Sequence, residues 1–474
     1  MNILMVYPKH PESFWSFKHA LRFVSRKSAF PPLGLITVAS MLPAGWRKRL
    51  ADMNVSRLKN RDLRWADFVF ISGISAQRAS AEDVIARCRR AGVPVVAGGP
   101  LFTGPEQFPG VDHFVQGEAE ATLPAFLADL AAGRPRRVYE TPEKPDLCRT
   151  PVPDWSLVSM RNYSTMSLQY SRGCPFDCDF CDITARFGRR VRVKSAAQVL
   201  GELDRIYARG WRGEVFFVDD NFIGNRQRIK AEVLPALTEW MARRRRPFTF
   251  FTQVSIDLSD DEALLHQMVR AGFRTIFVGI ESPNEASLAE CLKRQNKDRD
   301  LLQSVRRCQA AGLQVQGGFI VGFDSDPATI FNRHIRFIQQ SGIVSAMVGL
   351  LNAMQGTRLY DRLRREHRLL GESSGDNTDC SLNFVPKMAA DRLLAGYKAI
   401  VSRIYSPKYY YARLRRFLRS YNPPPHASRI RMRSRGAFVK SLFVLGVVGR
   451  ERRRYWGLLR WSLFKRPATF PMAV

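Results

Sequence analysis

The sequence of 474 residues lacks any apolar run close to the ~20 residues that a membrane-spanning helix requires. It also lacks a recognisable signal peptide, because Met1 is followed directly by the strand-like residues ILMVY. Hydrophobic residues make up 45% of the chain and charged residues 25%, which is an ordinary globular composition. We therefore expect a cytoplasmic protein of about two or three domains.

Acidic residues are scarce near the end of the chain. The formal net charge is +31, and 21 Lys and Arg residues follow position 386 against only Asp391 and Glu451. Aromatic residues such as Trp456 and Phe464 lie among these cations. This mixture suits an interfacial helix on an anionic membrane, a packed helix with a solvated basic face, or a nucleic-acid surface. We prefer peripheral contact with the inner face of the membrane, and nucleic acid is the least favoured partner.

Histidine is absent near the cysteine-rich stretch SRGCPFDCDFCDIT. Cys174, Cys178 and Cys181 have C-x3-C-x2-C spacing, whereas the nearest histidines are His113 and His266. Zinc would need a fourth Cys or His close by, and three cysteines cannot pair evenly in disulfides. Three thiolates can hold three irons of a 4Fe-4S cluster, which leaves the fourth iron open to a small molecule. The spacing therefore predicts a catalytic cluster on these three cysteines.

Residues 1–140 alternate continuous apolar strands with amphipathic helices. This alternation predicts a doubly wound, flavodoxin-like parallel sheet, with a ligand site beyond the carboxyl ends of its strands. Four glycines and one acid stand at the predicted strand ends, where they are either ligand contacts or ordinary turn residues: Gly73, Gly98, Gly99, Gly117 and Glu118. Residues 141–163 are rich in proline and read as a linker, with Trp155 packed on a domain.

Residues 164–385 resume the alternation, with six predicted strands that begin near Met166, Val215, Phe248, Thr275, Val315 and Ala346. Six βα units fit a partial (β/α)6 TIM-type barrel, in which the site forms at the strand carboxyl ends. Polar residues and glycines occupy those ends and are either ligand contacts or helix caps: Asp219, Asp220, Asn221, Gln253, Ser255, Glu281, Ser282, Gly318 and Gly322. Residues 386–474 form the predicted helical, basic and aromatic extension.

Several stretches resemble a known family. Arg172, Gly173 and Pro175 around the first cysteine, with Phe180 before the third, resemble the signature of radical S-adenosylmethionine (SAM) enzymes. The segments FPPLGLITVASMLP, VVAGGP and QGEAE resemble the cobalamin-binding domain that precedes the radical domain in cobalamin-dependent members. The element ESFWSFKHAL and the basic extension are most similar to methylases of the hopanoid C-2 methylase type.

This resemblance implies three cofactors: a 4Fe-4S cluster, SAM and cobalamin. It implies that Phe180 and the barrel strand ends contact SAM, that Gly73, Gly98, Gly99, Gly117 and Glu118 contact cobalamin, and that a flavodoxin or ferredoxin donates the electron. No D-x-H-x-x-G motif is present, so cobalamin is expected base-off without a protein histidine. The implied reaction is radical methylation of an unactivated carbon in an apolar substrate, a hopanoid or a related polycyclic lipid.

Three other functions remain open at this point. A radical SAM enzyme of the same build can catalyse a non-methylating oxidation or cyclisation, for example of a tetrapyrrole. An RNA-modifying radical SAM enzyme would use the basic extension. A non-catalytic cobalamin or cluster sensor would bind the cofactors without turnover.

Overall fold

The computed structural model describes residues 1–13, 16–376, 378–424 and 433–473. Phe14 and Trp15 of the ESFWSFKHAL element, Asn377 of the polar segment and residues 425–432 of the extension lie outside the described residues. The chain divides into two compact units. The first contains Met1–Tyr170, Arg192–Arg212 and Ser374–Asp376, and the second contains Ser171–Val191, Gly213–Ser373 and the described residues after Asp376.

The first unit contains a six-stranded sheet with order β2-β1-β3-β4-β5-β6, in which every neighbouring pair is parallel. The strands of this unit are β1 Asn2–Tyr7, β2 Arg47–Asp52, β3 Phe68–Ser72, β4 Val95–Gly98, β5 His113–Val115, β6 Val138–Tyr139, β7 Thr165–Leu168 and β9 Arg192–Val193. Its helices are α1 Lys18–Phe23, α2 Leu33–Met41, α3 Asn60–Trp65, α4 Arg78–Arg90, α5 Ala119–Ala131 and α7 Ala196–Ala208. This order is the predicted flavodoxin-like arrangement.

Two apolar clusters cover the two faces of that sheet. Strand β1 supplies Leu4 and Val6 to one cluster and Ile3 and Met5 to the other, because successive strand residues point to opposite faces. All four side chains are buried. A strand that is buried on both faces reads as a continuous apolar run, which is why ILMVY predicted it correctly.

The linker is held to the rest of the first unit near its middle and at its end. Asp154 N–H donates to the carbonyl oxygen of Ile36 at 2.9 Å, and the Tyr163 hydroxyl donates to Asp52 Oδ2 at 2.8 Å. Trp155 is buried, as predicted. The segment contains three short 3-10 turns, Leu147–Arg149, Trp155–Leu157 and Met160–Asn162, rather than an entirely extended chain.

The second unit contains five parallel strands in the order β14-β13-β12-β11-β10. Its strands are β8 Ser171–Arg172, β10 Glu214–Phe217, β11 Thr249–Val254, β12 Phe273–Glu281, β13 Gln314–Val321 and β14 Ala346–Leu350. Its helices up to residue 365 are α6 Ile183–Phe187, α8 Arg226–Arg228, α9 Leu234–Arg243, α10 Glu262–Ala271, α11 Glu285–Glu290, α12 Leu301–Ala310, α13 Ile330–Ser341 and α14 Arg358–Arg365. The π-helical turn Ile229–Val233 joins α8 to α9.

The described part of the extension is helical, as predicted. It contains α15 Ala390–Ile404, α16 Pro407–Ser420, α17 Arg433–Phe443, α18 Arg452–Lys465 and α19 Phe470–Ala473, and the π-helical turn Val444–Val448 continues α17. Phe417, Leu418, Tyr455, Leu458 and Leu459 form its apolar core. Within the described ranges, no helix has the length and apolar character needed to cross a bilayer.

One buried histidine in the second unit has an acid-sensitive environment. His334 on α13 is fully buried, and neither ring nitrogen has a hydrogen-bond partner among the described residues. Its ring packs edge-on against Phe319 with 5.8 Å between centroids. Burial lowers the pKa of His334 to about 3, because the charged imidazolium is poorly solvated there.

We predict that His334 makes the protein less stable in mild acid. As the pH falls below about 6.5, His334 takes up a proton in the unfolded chain but stays neutral in the folded chain. The free energy of unfolding therefore decreases by about 1.4 kcal/mol per pH unit until the pH nears the folded pKa. When the pH is lowered from neutral to mildly acidic, the Tm of His334→Phe should therefore fall less than the Tm of the wild type. The exposed His266→Phe is the matched control, and equal pH slopes for wild type and His334→Phe would contradict the prediction.

Candidate active site

The cysteine loop follows β8. Two aspartates accept hydrogen bonds from residues at its start. The Ser171 N–H and hydroxyl both donate to Asp219 Oδ1, the hydroxyl at 2.5 Å. The Gly173 N–H donates to Asp220 Oδ2 at 3.2 Å. Asp219 is fully buried, so these bonds also satisfy a carboxylate that would be costly to leave unpaired. Two residues predicted to contact SAM thus shape the loop that carries the cysteines.

Gly173 is required where the loop leaves β8. Its φ is +94°, and a Cβ on it would lie 2.9 Å from the Gly188 carbonyl oxygen and 3.0 Å from that of Arg190. A side chain would therefore face both a disfavoured backbone conformation and a collision with main chain. The glycine before Cys174 in the signature has this physical cause.

The far side of the loop is fixed to two other segments of the second unit. Asp179 N–H donates to the Cys291 carbonyl oxygen at 3.2 Å, and Leu359 N–H at the start of α14 donates to the Asp179 carbonyl oxygen at 2.9 Å. Arg358 also forms an ion pair with Asp177 at 3.1 Å. The segment between Cys174 and Cys181 is therefore held from both sides.

The three thiols share the electrostatic influence of one cation. Cys174, Cys178 and Cys181 all interact electrostatically with Lys293, whose ammonium is 2.7 Å from Glu281 Oε1. Burial alone would lower the pKa of Lys293, but the negative charges of Glu281 and the nearby thiol groups raise it above its ordinary value. Lys293 therefore stays positively charged and favours negative charge on sulfur.

Amide groups also point at the sulfur atoms. Gln295 Nε2 is 3.8 Å from Cys178 Sγ, and Asn221 Nδ2 is 4.0 Å from Cys174 Sγ. Asn221 is itself oriented by Ser255, whose N–H donates to Asn221 Oδ1 at 3.2 Å and whose hydroxyl accepts from Nδ2 at 3.1 Å. Hydrogen bonds to sulfur are one of the features that set the potential of an iron–sulfur cluster.

The donor set fits a 4Fe-4S cluster. Burial raises the pKa of each of the three thiols, that of Cys181 to about 12, so iron must displace their protons on binding. Among the described residues, no three Cys, His, Asp or Glu side chains converge closely enough to hold a single metal ion. A cube binds each thiolate to a different iron, so it needs three thiols around a shared space rather than around one point.

Three of the remaining predicted barrel residues lie at the same carboxyl edge of the sheet. Glu281 ends β12 with a φ of +60° and is buried, as is Ser282 beside it. Gly322 follows β13 with a φ of +112°, and its N–H donates to Asp326 Oδ2 at 2.8 Å. Gly318 differs from the prediction, because it lies inside β13 rather than at its end, where a Cβ would be 2.9 Å from the Phe277 ring and glycine permits close packing.

Gln253 and Phe180 complete the predicted set in this unit. Gln253 is the second-to-last residue of β11, and its carbonyl oxygen accepts from the Phe222 N–H at 2.9 Å. The Phe180 ring packs against Phe323 with 6.3 Å between centroids, and Lys293 Nζ lies 6.0 Å from the Phe180 centroid. The aromatic residue of the signature is therefore part of the wall around the thiols.

Three residues of this site are missing from the sequence predictions. Lys293, Gln295 and Asn296 belong to the segment after α11, and Asn296 Nδ2 donates to the carbonyl oxygens of Gly279 and Ile280 at 3.0 and 2.9 Å. The Oε1 of Gln295 and the Oδ1 of Asn296 are buried and have no hydrogen-bond partner among the described residues. These two oxygen atoms are free to accept hydrogen bonds from a bound ligand. The three residues were not predicted because no sequence motif indicates that the segment after α11 folds back to the edge of the sheet.

The predicted residues of the first unit lie at the carboxyl ends of β3, β4 and β5. A Cβ on Gly99, where φ is +86°, would lie 2.4 Å from Ser72 Oγ, and one on Gly98 would lie 2.8 Å from the Val115 carbonyl oxygen. These two glycines are therefore needed for the packing of the sheet edge itself. Gly73 and Gly117 lie on the same edge, where Gly117 has open space around its Cα and a φ of +74°.

Glu118 already has a protein partner. Its carboxylate forms a bidentate pair with Arg192, at 2.7 Å from Nη2 and 2.9 Å from Nη1, and its side chain is almost fully buried. A planar guanidinium that meets a carboxylate in this way fixes both groups. Contact of Glu118 with cobalamin stays a prediction, and the pair gives the residue a structural role in the same unit.

Comparison with known proteins agrees with this architecture. Residues 21–127 match the B12 binding domain, residues 168–338 match the radical SAM superfamily, and residues 357–474 match a domain of unknown function. A solved structure of the radical SAM methyltransferase TsrM from Kitasatospora setae, with cobalamin and a 4Fe-4S cluster bound, has a TM-score of 0.64 at 14% identity over 92% of this chain and 98% of that chain. Its likeness confirms the predicted fold class.

Two sequence relatives are similar over almost the whole chain. An uncharacterized methyltransferase from Synechocystis sp. is 38% identical over 99% of this chain and 89% of its own length. The hopanoid C-2 methylase of Rhodopseudomonas palustris is 33% identical over 96% of this chain and 88% of its own length. The B12 binding and radical SAM domains imply cobalamin, SAM and a 4Fe-4S cluster as cofactors. The chain belongs to the cobalamin-binding radical SAM methyltransferases.

Proposed function

We propose that this enzyme transfers a methyl group to an unactivated carbon of a polycyclic lipid, a hopanoid or a close structural relative. The observation that carries the proposal is the loop of three cysteines, whose thiols share the charge of Lys293, in a chain 33% identical to a hopanoid C-2 methylase. In that reaction, one C–H bond is replaced by a C–CH3 bond, so the product gains one CH2. The electron donor would be a flavodoxin or ferredoxin, and the work would take place at the inner face of the membrane.

The cofactors, when bound, supply the difficult chemistry: a carbon-centred radical from reductive cleavage of SAM, and a methyl group from methylcobalamin. Cys174, Cys178 and Cys181 would hold the cluster. Gln295 and Asn221 would donate hydrogen bonds toward its sulfur ligands, and Lys293 would balance its negative charge. Glu281 keeps Lys293 in place.

The strand ends would orient SAM. The buried acceptors Gln295 Oε1 and Asn296 Oδ1 can receive hydrogen bonds from an ammonium or a hydroxyl group. Gly322, directly after β13, would let the backbone lie close to the adenine ring of SAM, whereas the space beside Gly318 is filled by the Phe277 ring. The apolar wall of Phe180, Phe323 and Leu351 would exclude water from the radical.

We predict that Cys178→Ala abolishes both SAM cleavage and methylation. The cluster would lose one of its three protein ligands, and both activities depend on it. The measurement is anaerobic turnover of reconstituted protein with a hopanoid, in which wild type should yield 5'-deoxyadenosine, S-adenosylhomocysteine and a methylated lipid. The exposed Cys148→Ala is the matched control and should retain these activities. If Cys178→Ala kept substrate-dependent methylation, the proposed site would be wrong.

The products also separate the main alternative. A non-methylating oxidase or cyclase of this build would form 5'-deoxyadenosine without S-adenosylhomocysteine. A methylase must form both, because radical generation and the supply of methyl groups each consume one SAM.

We predict that the protein binds cobalamin without a histidine ligand to cobalt, because the sequence contains no D-x-H-x-x-G motif. Protein mixed with hydroxocobalamin and then desalted should retain corrinoid absorbance, and the spectrum should be that of a base-off corrinoid. Gly99→Val should lose most of this absorbance, since its side chain would collide with Ser72 at the carboxyl edge of β3 and β4. Gly92→Ala, at a turn with open space around it, is the control. Wild-type protein that emerges colourless would refute cobalamin binding.

A further inference from the structure

The extension carries a row of apolar side chains on its surface. Val439 is 63% exposed, Phe443 62% and Val448 66%, and Val444 and Val447 between them are also exposed. We call these five residues the apolar ridge. Such a continuous row is uncommon on a protein surface and marks an interaction site.

The ridge follows helical spacing. Val439, Phe443 and Val447 are four residues apart and form one row along α17 and the turn that continues it, and Val444 and Val448, also four residues apart, form a second row beside it. The opposite side is packed, because the Ser441 hydroxyl is 2.9 Å from the Tyr455 hydroxyl and Trp456 Nε1 donates to the Gly446 carbonyl oxygen at 3.0 Å. The helix is thus anchored to α18 with its ridge turned outward.

Cations surround the ridge in the sequence. Residues 433–473 contain ten Lys and Arg residues and one acid, Glu451. Arg452 and Arg453 lie four and five residues after Val448 and are exposed, whereas Arg454 pairs with Glu451 at 2.9 Å. An apolar face rimmed by Lys and Arg is the composition of a helix that lies in the interface of an anionic membrane.

We infer that the apolar ridge inserts into the surface of an anionic lipid bilayer, with Arg452 and Arg453 at the headgroups. The charge selects this occupant, because a second copy would bring two strongly basic surfaces together, whereas anionic lipids would neutralise them. The inference goes beyond the proposed methylation and assigns a role to the matched domain of unknown function. It would also place the enzyme where an apolar substrate is dissolved.

Co-sedimentation with vesicles tests this inference. At about 0.15 M salt, wild-type protein should pellet with vesicles of equal parts phosphatidylcholine and phosphatidylglycerol, and much less with phosphatidylcholine alone. Phe443→Asp should weaken binding to the anionic vesicles at least about tenfold, since it replaces an inserted ring by a charge. Arg452→Gln combined with Arg453→Gln should reduce the preference for anionic vesicles.

Controls keep the outcomes distinct. Phe443→Leu should bind as wild type does, and Leu370→Asp, which alters a site 65% exposed outside the ridge, should leave binding unchanged. Phe443→Asp should still cleave SAM without lipid, which separates loss of docking from failure of the proposed reaction. The inference is overturned if folded Phe443→Asp binds like wild type, if wild type ignores anionic vesicles, or if it instead self-associates through this face.

Discussion

A loop that presents three thiols to a ligand cannot satisfy its own backbone groups, and this constraint governs the second unit. The loop from Ser171 to Cys181 contains no strand or helix after β8, so its N–H and C=O groups need partners elsewhere. Asp219 and Asp220, in the segment that follows β10, accept hydrogen bonds from the Ser171 and Gly173 N–H groups.

 The Leu359 N–H and the Cys291 carbonyl oxygen each bind the Asp179 backbone. The shape of the cysteine loop therefore depends on hydrogen bonds from three distant parts of the sequence.

A cation near the three thiols meets a second requirement of the site, which is negative charge on sulfur. Three thiols that are largely removed from water resist ionisation, as the raised pKa of Cys181 shows. Lys293 opposes this effect, and Glu281 keeps Lys293 charged in a place where an isolated ammonium would be unfavourable. Gln295 adds a hydrogen-bond donor toward Cys178. The protein thus prepares a setting for negatively charged sulfur before any cofactor chemistry takes place.

Much of this arrangement could be predicted from sequence, for identifiable reasons. Strands such as β1 and β3 are buried on both faces and read as unbroken apolar runs, and the three cysteines are close in sequence. Strand β2 has no such apolar run to mark it, because it is an edge strand with the sequence RKRLAD, whose Arg49 lies over the Trp65 ring at 4.0 Å. Lys293 and Gln295 escaped because tertiary folding, rather than a local pattern, returns the segment after α11 to the sheet edge.

The substrate is the central claim, and the lipids of a cell test it most directly. In a strain that makes hopanoids, deletion of the gene for this protein should remove one class of lipid that is heavier by one CH2 than its precursor, as measured by comparative lipid mass spectrometry. Wild-type protein should restore that class, and protein carrying Cys174→Ala should not. An unchanged polycyclic lipid profile in the deletion strain would contradict the account.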